Sequence, residues 1–359
     1  MNRFLPLSFL TFTRIVKDNG GLSSQGWKKL APWLMKTIGS EYWRWIEIAL
    51  FDRKIKAHVI EHPPIFILGF YRSGTTYLQQ LLTQDKQFGY LNSYQTVMPE
   101  MMLSTEIWLR PILEFAAKIS NQKNPVHRVP MKWTAPGEED IAMTLSVDPL
   151  AAQWGYFFPD RMMEHFEKHV LFNNVSHQEI DQWKQRYLYL IKKISFANKG
   201  KQLVLKSPPN TARIKHLLSL FPNAKFVYIY RDPFEVYGSN KRLLKVVQEN
   251  FALGKHLSAD ASSVILETYK GMIDAYEQQK MLVSDRNIVE VAYEDLARDP
   301  MNQMQRIYDH LGIQNFTDAL PAIRAYVNTQ RNYKVLQHQL TEQEQAAIIN
   351  TWNVYGKAQ

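Results

Sequence analysis

The sequence predicts an α/β fold: a three-layer αβα arrangement with a central parallel sheet and a helical N-terminal extension. Three observations carry this expectation. Four short runs rich in apolar and β-branched or aromatic residues, Ile65–Leu68, 203–205, Lys225–Tyr230 and 287–291, have the length of strands. Segments of helical period separate them, so the strands run parallel with helices on both faces. Finally, Arg72, Lys206, Arg231 and Tyr293 all follow such runs, at the carboxyl edge where open α/β sheets bind ligands. We divide the chain into a helical extension (1–62), an α/β core (63–312) and a C-terminal segment (313–359).

Composition sets broad bounds. The 359 residues are 45% hydrophobic and 13% aromatic, enough for a large core. With no cysteine, the chain has no disulfide, thiolate nucleophile or thiolate metal site, which suits a reducing compartment. Lysine and arginine total 43 against 34 acidic residues, a net charge of +9, without any block of like charge. A mildly basic globular protein fits this balance as well as a nucleic-acid partner does, and we expect none. The apolar start is interrupted by Pro6 and Arg14 and lacks a cleavage site, and no run spans a bilayer. The expected location is cytoplasmic.

In the extension, Trp27, Trp33, Trp43 and Trp45 lie among lysines and arginines. The favoured expectation is a helical layer packed on the core; the alternative is an amphipathic face for lipid, hence peripheral membrane contact. The first strand then leads into Gly69-Phe70-Tyr71-Arg72-Ser73-Gly74-Thr75-Thr76 and a helix marked by Leu78, Leu81 and Leu82. Strand, glycine loop and helix N-terminus together form an anion cradle, where backbone N–H groups and the helix dipole converge. The spacing approaches a nucleotide-triphosphate loop, but Thr75 stands where that loop has lysine. This argues against ATP or GTP and for a shorter anion met by Arg72.

Residues 86–149 show no clear strand, being divided by Pro99, Pro111, Pro125, Pro130 and Pro136. Aromatic residues crowd 154–172, and 178–197 reads as a helix. His165 and His169 lie one turn apart but without the glutamate of a zinc-protease motif, so no metal is expected. A helix from about 212 to 221 follows the second run, and Pro233 opens another, carrying Ser239 and Arg242.

Taken together these motifs resemble the sulfotransferases that use 3′-phosphoadenosine 5′-phosphosulfate (PAPS), over roughly residues 63–312. The resemblance rests on Arg72-Ser73-Gly74-Thr75-Thr76, on Arg231 with Ser239 eight residues later, on 221–226 leading into that strand, and on Tyr293-Glu294-Asp295-Leu296. Lys206-Ser207-Pro208, sixteen residues before Pro222, is placed like the catalytic lysine of tyrosylprotein sulfotransferases. It implies a P-loop nucleotide-hydrolase-like fold and PAPS as donor, with 3′,5′-ADP as product and no metal. It further implies a 5′-phosphosulfate loop at Arg72, Ser73, Gly74, Thr75 and Thr76, a 3′-phosphate grip by Arg231 and Ser239, and Tyr293 beside the adenine. Arg72 and Lys206 would stabilise charge on the departing phosphate, and Arg331 or Lys334 in the tail would close over the nucleotide.

Relatives place a glutamate about twenty residues past the loop arginine, where this chain has only the neutral 90–95. The base must lie elsewhere. His127, in His127-Arg128-Val129-Pro130, is the first candidate, since an unshifted histidine titrates near neutrality. Glu139 and Asp140 come next, then Glu100. Met98, Met101, Met102, Trp108, Trp133, Trp154, Phe157 and Phe158 favour an apolar acceptor, a lipid or steroid-like alcohol. Carbohydrate and phenolic acceptors, a P-loop small-molecule kinase and a non-catalytic nucleotide-binding module are the rival readings. Nothing in the sequence indicates the oligomeric state.

Overall fold

In a computed structural model of the chain, residues 8–122, 130–257, 261–330 and 338–352 are described. The strands are β1 (Ile65–Leu68), β2 (Phe88–Gly89), β3 (Gln202–Lys206), β4 (Lys225–Tyr230) and β5 (Ile288–Ala292). The helices are α1 (Ser8–Asp18), α2 (Ser24–Ala57), α3 (Thr75–Leu82), α4 (Ser93–Val97), α5 (Met102–Ile119), α6 (Glu139–Leu145), α7 (Trp154–Phe157) and α8 (Met162–His165), then α9 (His177–Ala197), α10 (Ile214–Leu220), α11 (Pro233–Phe251), α12 (Ala261–Lys280), α13 (Tyr293–Arg298), α14 (Pro300–Leu311), α15 (Phe316–Gln330) and α16 (Glu342–Trp352). Contacts group the chain into two compact units: Val59–Tyr90 with Ile194–Arg242 and Ala261–Gln359, and Met1–His58 with Leu91–Lys193 and Leu243–Asp260.

The first unit holds the sheet, all parallel, in the order β2-β3-β1-β4-β5. β1 is central, and from it the chain goes first to the β3 side and later to the β4 side. Such a switch point opens a crevice at the strand carboxyl ends. Every residue of β1 is buried because both sheet faces are covered. Ile65 and Ile67 pack with Leu78, Leu81 and Leu82 of α3, Ile307 of α14 and Ile323 of α15. On the opposite face Phe66 meets Phe221 and Phe226, and Tyr228 stacks on Tyr276 of α12 at 3.8 Å. These are the three layers expected. α16 closes the unit: its Trp352 stacks on Tyr269 at 3.9 Å and donates its indole N–H to the Leu266 carbonyl.

One local expectation is corrected, and one expected helix is present but shorter. β2 lies within a region expected to hold no strand; two residues paired with Gln202 and Leu203 are too short for any periodic signal. The segment after β3 is a 3₁₀ turn (Pro208–Ala212), with α10 beginning only at Ile214. Pro208 and Pro209 have no N–H to donate, which favours the tighter opening turn.

The second unit is helical. Ser23 caps the 34-residue α2, accepting the Gly26 N–H at 2.9 Å. The tryptophans divide. Trp33 packs inward against Phe12 and Phe157, each 5.1 Å away. Trp27 and Trp45 are exposed. Glu47 ties α2 to the start of α5, accepting the N–H groups of Leu103 and Ser104 at 2.7 and 3.0 Å, and pairs with the buried Lys193. These N–H groups are among the orphan donors of a helix N-terminus, where an acidic partner is favoured.

Candidate functional site

The loop between β1 and α3 is shaped by its backbone. Gly74 has φ of 101°, and a Cβ there would meet the Tyr293 ring at 2.4 Å. Arg72 also adopts positive φ, 70°. A non-glycine residue is costly in that region, and such strain is commonly found at ligand-holding turns. The turn is held from outside by residues far away in sequence. Thr211 Oγ1 accepts the Gly69 N–H at 2.8 Å, and Asn240 Nδ2 donates to the Tyr71 carbonyl at 2.8 Å. The first N–H groups of α3, at Thr75 and Thr76, have no carbonyl acceptor within the helix by geometry and carry its positive dipole end.

Three motifs meet at this loop. Arg72 Nε donates to Ser239 Oγ at 3.0 Å, joining the loop to α11 across 167 residues of sequence. Arg231, at the end of β4, pairs with Glu235 at 3.0 Å and lies over the Tyr293 ring, 4.7 Å from its centroid. Lys206, at the end of β3, is 3% exposed and donates to Thr76 Oγ1 at 3.4 Å. The buried Ser73 Oγ and Arg231 Nε have no hydrogen-bond partner among the described residues. A buried polar atom left so is costly unless something fills the role, and both are donors at a cradle already rich in positive charge. The residues fit an anionic group: Arg72, Lys206, Arg231 and Ser239 gather at one loop beside the N-terminus of α3. Tyr293, expected beside an adenine, covers Gly74 and underlies the Arg231 guanidinium.

One residue absent from the sequence reading joins this cluster. His338, which leads into α16, packs against Gly238 of α11, where a Cβ would come within 2.4 Å of the His338 Cβ. Burial lowers its proton affinity; Glu235 opposes that, while the charges of Arg231, Arg242 and Arg72 reinforce it. No local pattern distinguishes His338, Thr211 or Asn240, because each acts on a segment remote in sequence.

Three of the base candidates, Glu139, Asp140 and Glu100, lie in the helical unit. Glu139 and Asp140 form the first turn of α6 and are both fully buried. Glu100 accepts Ser8 Oγ at 3.0 Å and Ser40 Oγ at 3.3 Å and pairs with Arg44 at 3.7 Å, a network that joins helices. His127, Arg331 and Lys334 lie outside the described residues. His165 Nε2 is 2.6 Å from Asn19 Oδ1, an oxygen that can only accept, so the ring holds its proton there. No group of three His, Cys, Asp or Glu side chains suited to a metal occurs among the described residues.

Residues 63–318 match the sequence pattern of the sulfotransferase family. The chain belongs to that family, and is a sulfotransferase with the αβα core that its motifs predict. It is similar to omega-hydroxy-beta-dihydromenaquinone-9 sulfotransferase Stf3 of Mycobacterium tuberculosis and of Mycobacterium bovis, 30% identical over 303 residues, 84% of this chain and 76% of the relative. Among solved structures, sulfotransferase STF9 from Mycobacterium avium superposes with a TM-score of 0.72 at 17% identity, covering 99% of this chain and 98% of that one. Sulfotransferase STF1 from Mycobacterium tuberculosis gives 0.71 at 18% identity, covering 96% and 91%. At these identities the two structures speak for the fold alone.

Proposed function

We propose that this enzyme transfers the sulfuryl group of PAPS to the hydroxyl of an apolar, lipid-type alcohol by in-line displacement. The observation that carries the reading is the Arg72–Ser239 hydrogen bond. It brings the loop expected to hold a 5′-phosphosulfate against the helix expected to hold a 3′-phosphate, with Arg231 beside both. PAPS supplies an activated sulfur bonded to a phosphate oxygen, a good leaving group.

The chain's residues then have few tasks, mostly orientation and charge stabilisation. Gly74, Thr75 and Thr76 present backbone N–H groups to the 5′ end. Arg72 and Lys206 offset charge as the bond from sulfur to the phosphate oxygen breaks. Arg231 and Ser239 hold the 3′-phosphate, which selects this donor over ATP. The acceptor hydroxyl forms the new S–O bond and gives its proton to a base. His127 remains the first candidate for that base, followed by Glu139, Asp140 and Glu100. Arg331 and Lys334, with His338, belong to the segment 313–359 that we assign to covering the nucleotide, and 63–312 remains the catalytic core.

The acceptor class is supported by the name of the 30%-identical relative, which acts on a hydroxylated menaquinone, and by the methionine- and tryptophan-rich segments. We place the enzyme in the cytoplasm, with peripheral access to a membrane-resident acceptor. Incubation with PAPS and a lipid extract, read by mass spectrometry, should yield an apolar product heavier by one sulfuryl group. Sulfation confined to sugars or phenols would contradict the acceptor class; no sulfated product with any hydroxyl, despite tight 3′,5′-ADP binding, would contradict the reaction.

A further inference from the structure

Within the helical unit, α2 is inverted. Its buried face carries Thr37, Ser40, Arg44 and Glu47, whereas Met35, Ile38, Tyr42 and Trp45 are exposed at helical spacing. An amphipathic helix of a globular unit ordinarily turns the other way. α5 adds a parallel case. Trp108, Ile112, Phe115 and Ile119 recur at i, i+4, i+7 and i+11, with Phe115 67% and Ile119 70% exposed. The two helices meet beside these stripes, where the Trp108 ring lies 5.3 Å from that of Trp43, the neighbour of exposed Tyr42. An apolar surface of this extent marks an interaction site.

Charge identifies the partner. Among the described residues of α2 and α5, every exposed charged residue is a cation: Lys28, Arg53, Lys54, Lys56 and Lys118. The acidic residues of both helices are buried or half-buried and face Arg44, Lys56, Lys193 or Arg110. Exposed tryptophan and tyrosine suit the boundary between headgroups and acyl chains, and a cationic rim suits anionic headgroups. A second copy of the chain would set this rim against itself, which like charges disfavour. No helix among the described residues is long and apolar enough to cross a membrane, so the contact lies on the bilayer. We propose that the outward face of α2 and α5 docks on the surface of a bilayer containing anionic lipid. Its purpose, access to a membrane-resident alcohol, rests on the acceptor reading above; the docking itself does not.

The test is flotation of the full chain with vesicles of phosphatidylcholine alone or mixed with phosphatidylglycerol. The anionic vesicles should bind at least about tenfold better, and added salt should weaken that binding. The double variant Ile112→Asp/Phe115→Asp and, separately, Arg53→Glu/Lys54→Glu should each reduce binding about tenfold or more. Sulfuryl transfer to a short soluble alcohol should be unchanged in both. Failure of the wild type to float, equal binding to neutral vesicles, or wild-type binding by the Ile112/Phe115 variant would each overturn the proposal. So would a stable dimer in light scattering that this variant dissociates, which would give the face to a second copy. Turnover separates the two inferences: vesicle binding without transfer to any alcohol counts against the function alone.

Discussion

The sheet unit and the helical unit use charge and apolar surface in opposite ways. Around β1 the apolar side chains are enclosed and the polar ones are brought together at strand ends: Lys206, Arg72 and Arg231 converge on one loop. In the helical unit the buried Glu47 meets Lys193 and the half-buried Glu100 meets Arg44, while apolar side chains of α2 and α5 face outward. Charges of one sign gather at the strand ends of the first unit, whereas in the second the pairs Glu47–Lys193 and Glu100–Arg44 tie helices together. Burial of an ionic group is thus no sign of function by itself; its partner decides.

The largest expected effect challenges the second half of that comparison. Lys193→Met leaves the Glu47 carboxylate buried without its cation and should destabilise the helical unit by about 3–5 kcal/mol, the usual effect of breaking a buried pair. Chemical denaturation would measure it, and a loss below about 1 kcal/mol would mean Glu47 is sufficiently held by the α5 N–H groups. The matching change in the sheet unit, Lys206→Ala, should lower kcat roughly 10²–10³-fold, as loss of a donor to developing charge does, with 3′,5′-ADP binding nearly kept. A fall in affinity with kcat unchanged would make Lys206 a binding residue only.

Two histidines sharpen the contrast through pH. Burial, reinforced by Arg161 and Lys168, lowers His165 from 6.5 to about 4. The unfolded chain then binds more protons than the folded one, so the stability this residue allows is present above about pH 6.5 and is lost as pH falls toward 4. The loss is on the order of 3 kcal/mol, and denaturation midpoints across that range should flatten in His165→Gln. His338 should give the smallest effect and one tied to ligand. Burial and the neighbouring arginines disfavour its proton until a phosphate dianion arrives, so 3′,5′-ADP affinity should rise, by about three- to tenfold, as pH falls from roughly 8 to 6. His338→Gln should remove that rise while sparing binding at the higher pH.

The sheet unit was legible where its signals are local. Ile65–Leu68 and Lys225–Tyr230 are continuous apolar strands because both faces are covered, and their ends carry the residues that meet at the loop. Phe88–Gly89 escaped because two residues carry no period and its pairing partners lie more than a hundred positions away. Thr211 and Asn240 escaped for the same reason: a hydroxyl or amide holding a distant backbone leaves no trace in its own neighbourhood. The helical unit is less legible. Its tryptophans leave both a packed layer and an outward lipid-facing surface open, because inward Trp33 and outward Trp45 differ only in helical phase, and an inverted α2 buries polar residues where the usual pattern places apolar ones.

The proposed clamp recognises both ends of a doubly phosphorylated adenosine. Calorimetric titration of the wild type and of Arg231→Ala with 3′,5′-ADP and with 5′-AMP tests it most directly. The wild type should bind 3′,5′-ADP at least about a hundredfold more tightly than 5′-AMP, and Arg231→Ala should erase most of that gap, as expected for a hydrogen-bonded charge pair. Equal affinity of the wild type for the two nucleotides would contradict the account.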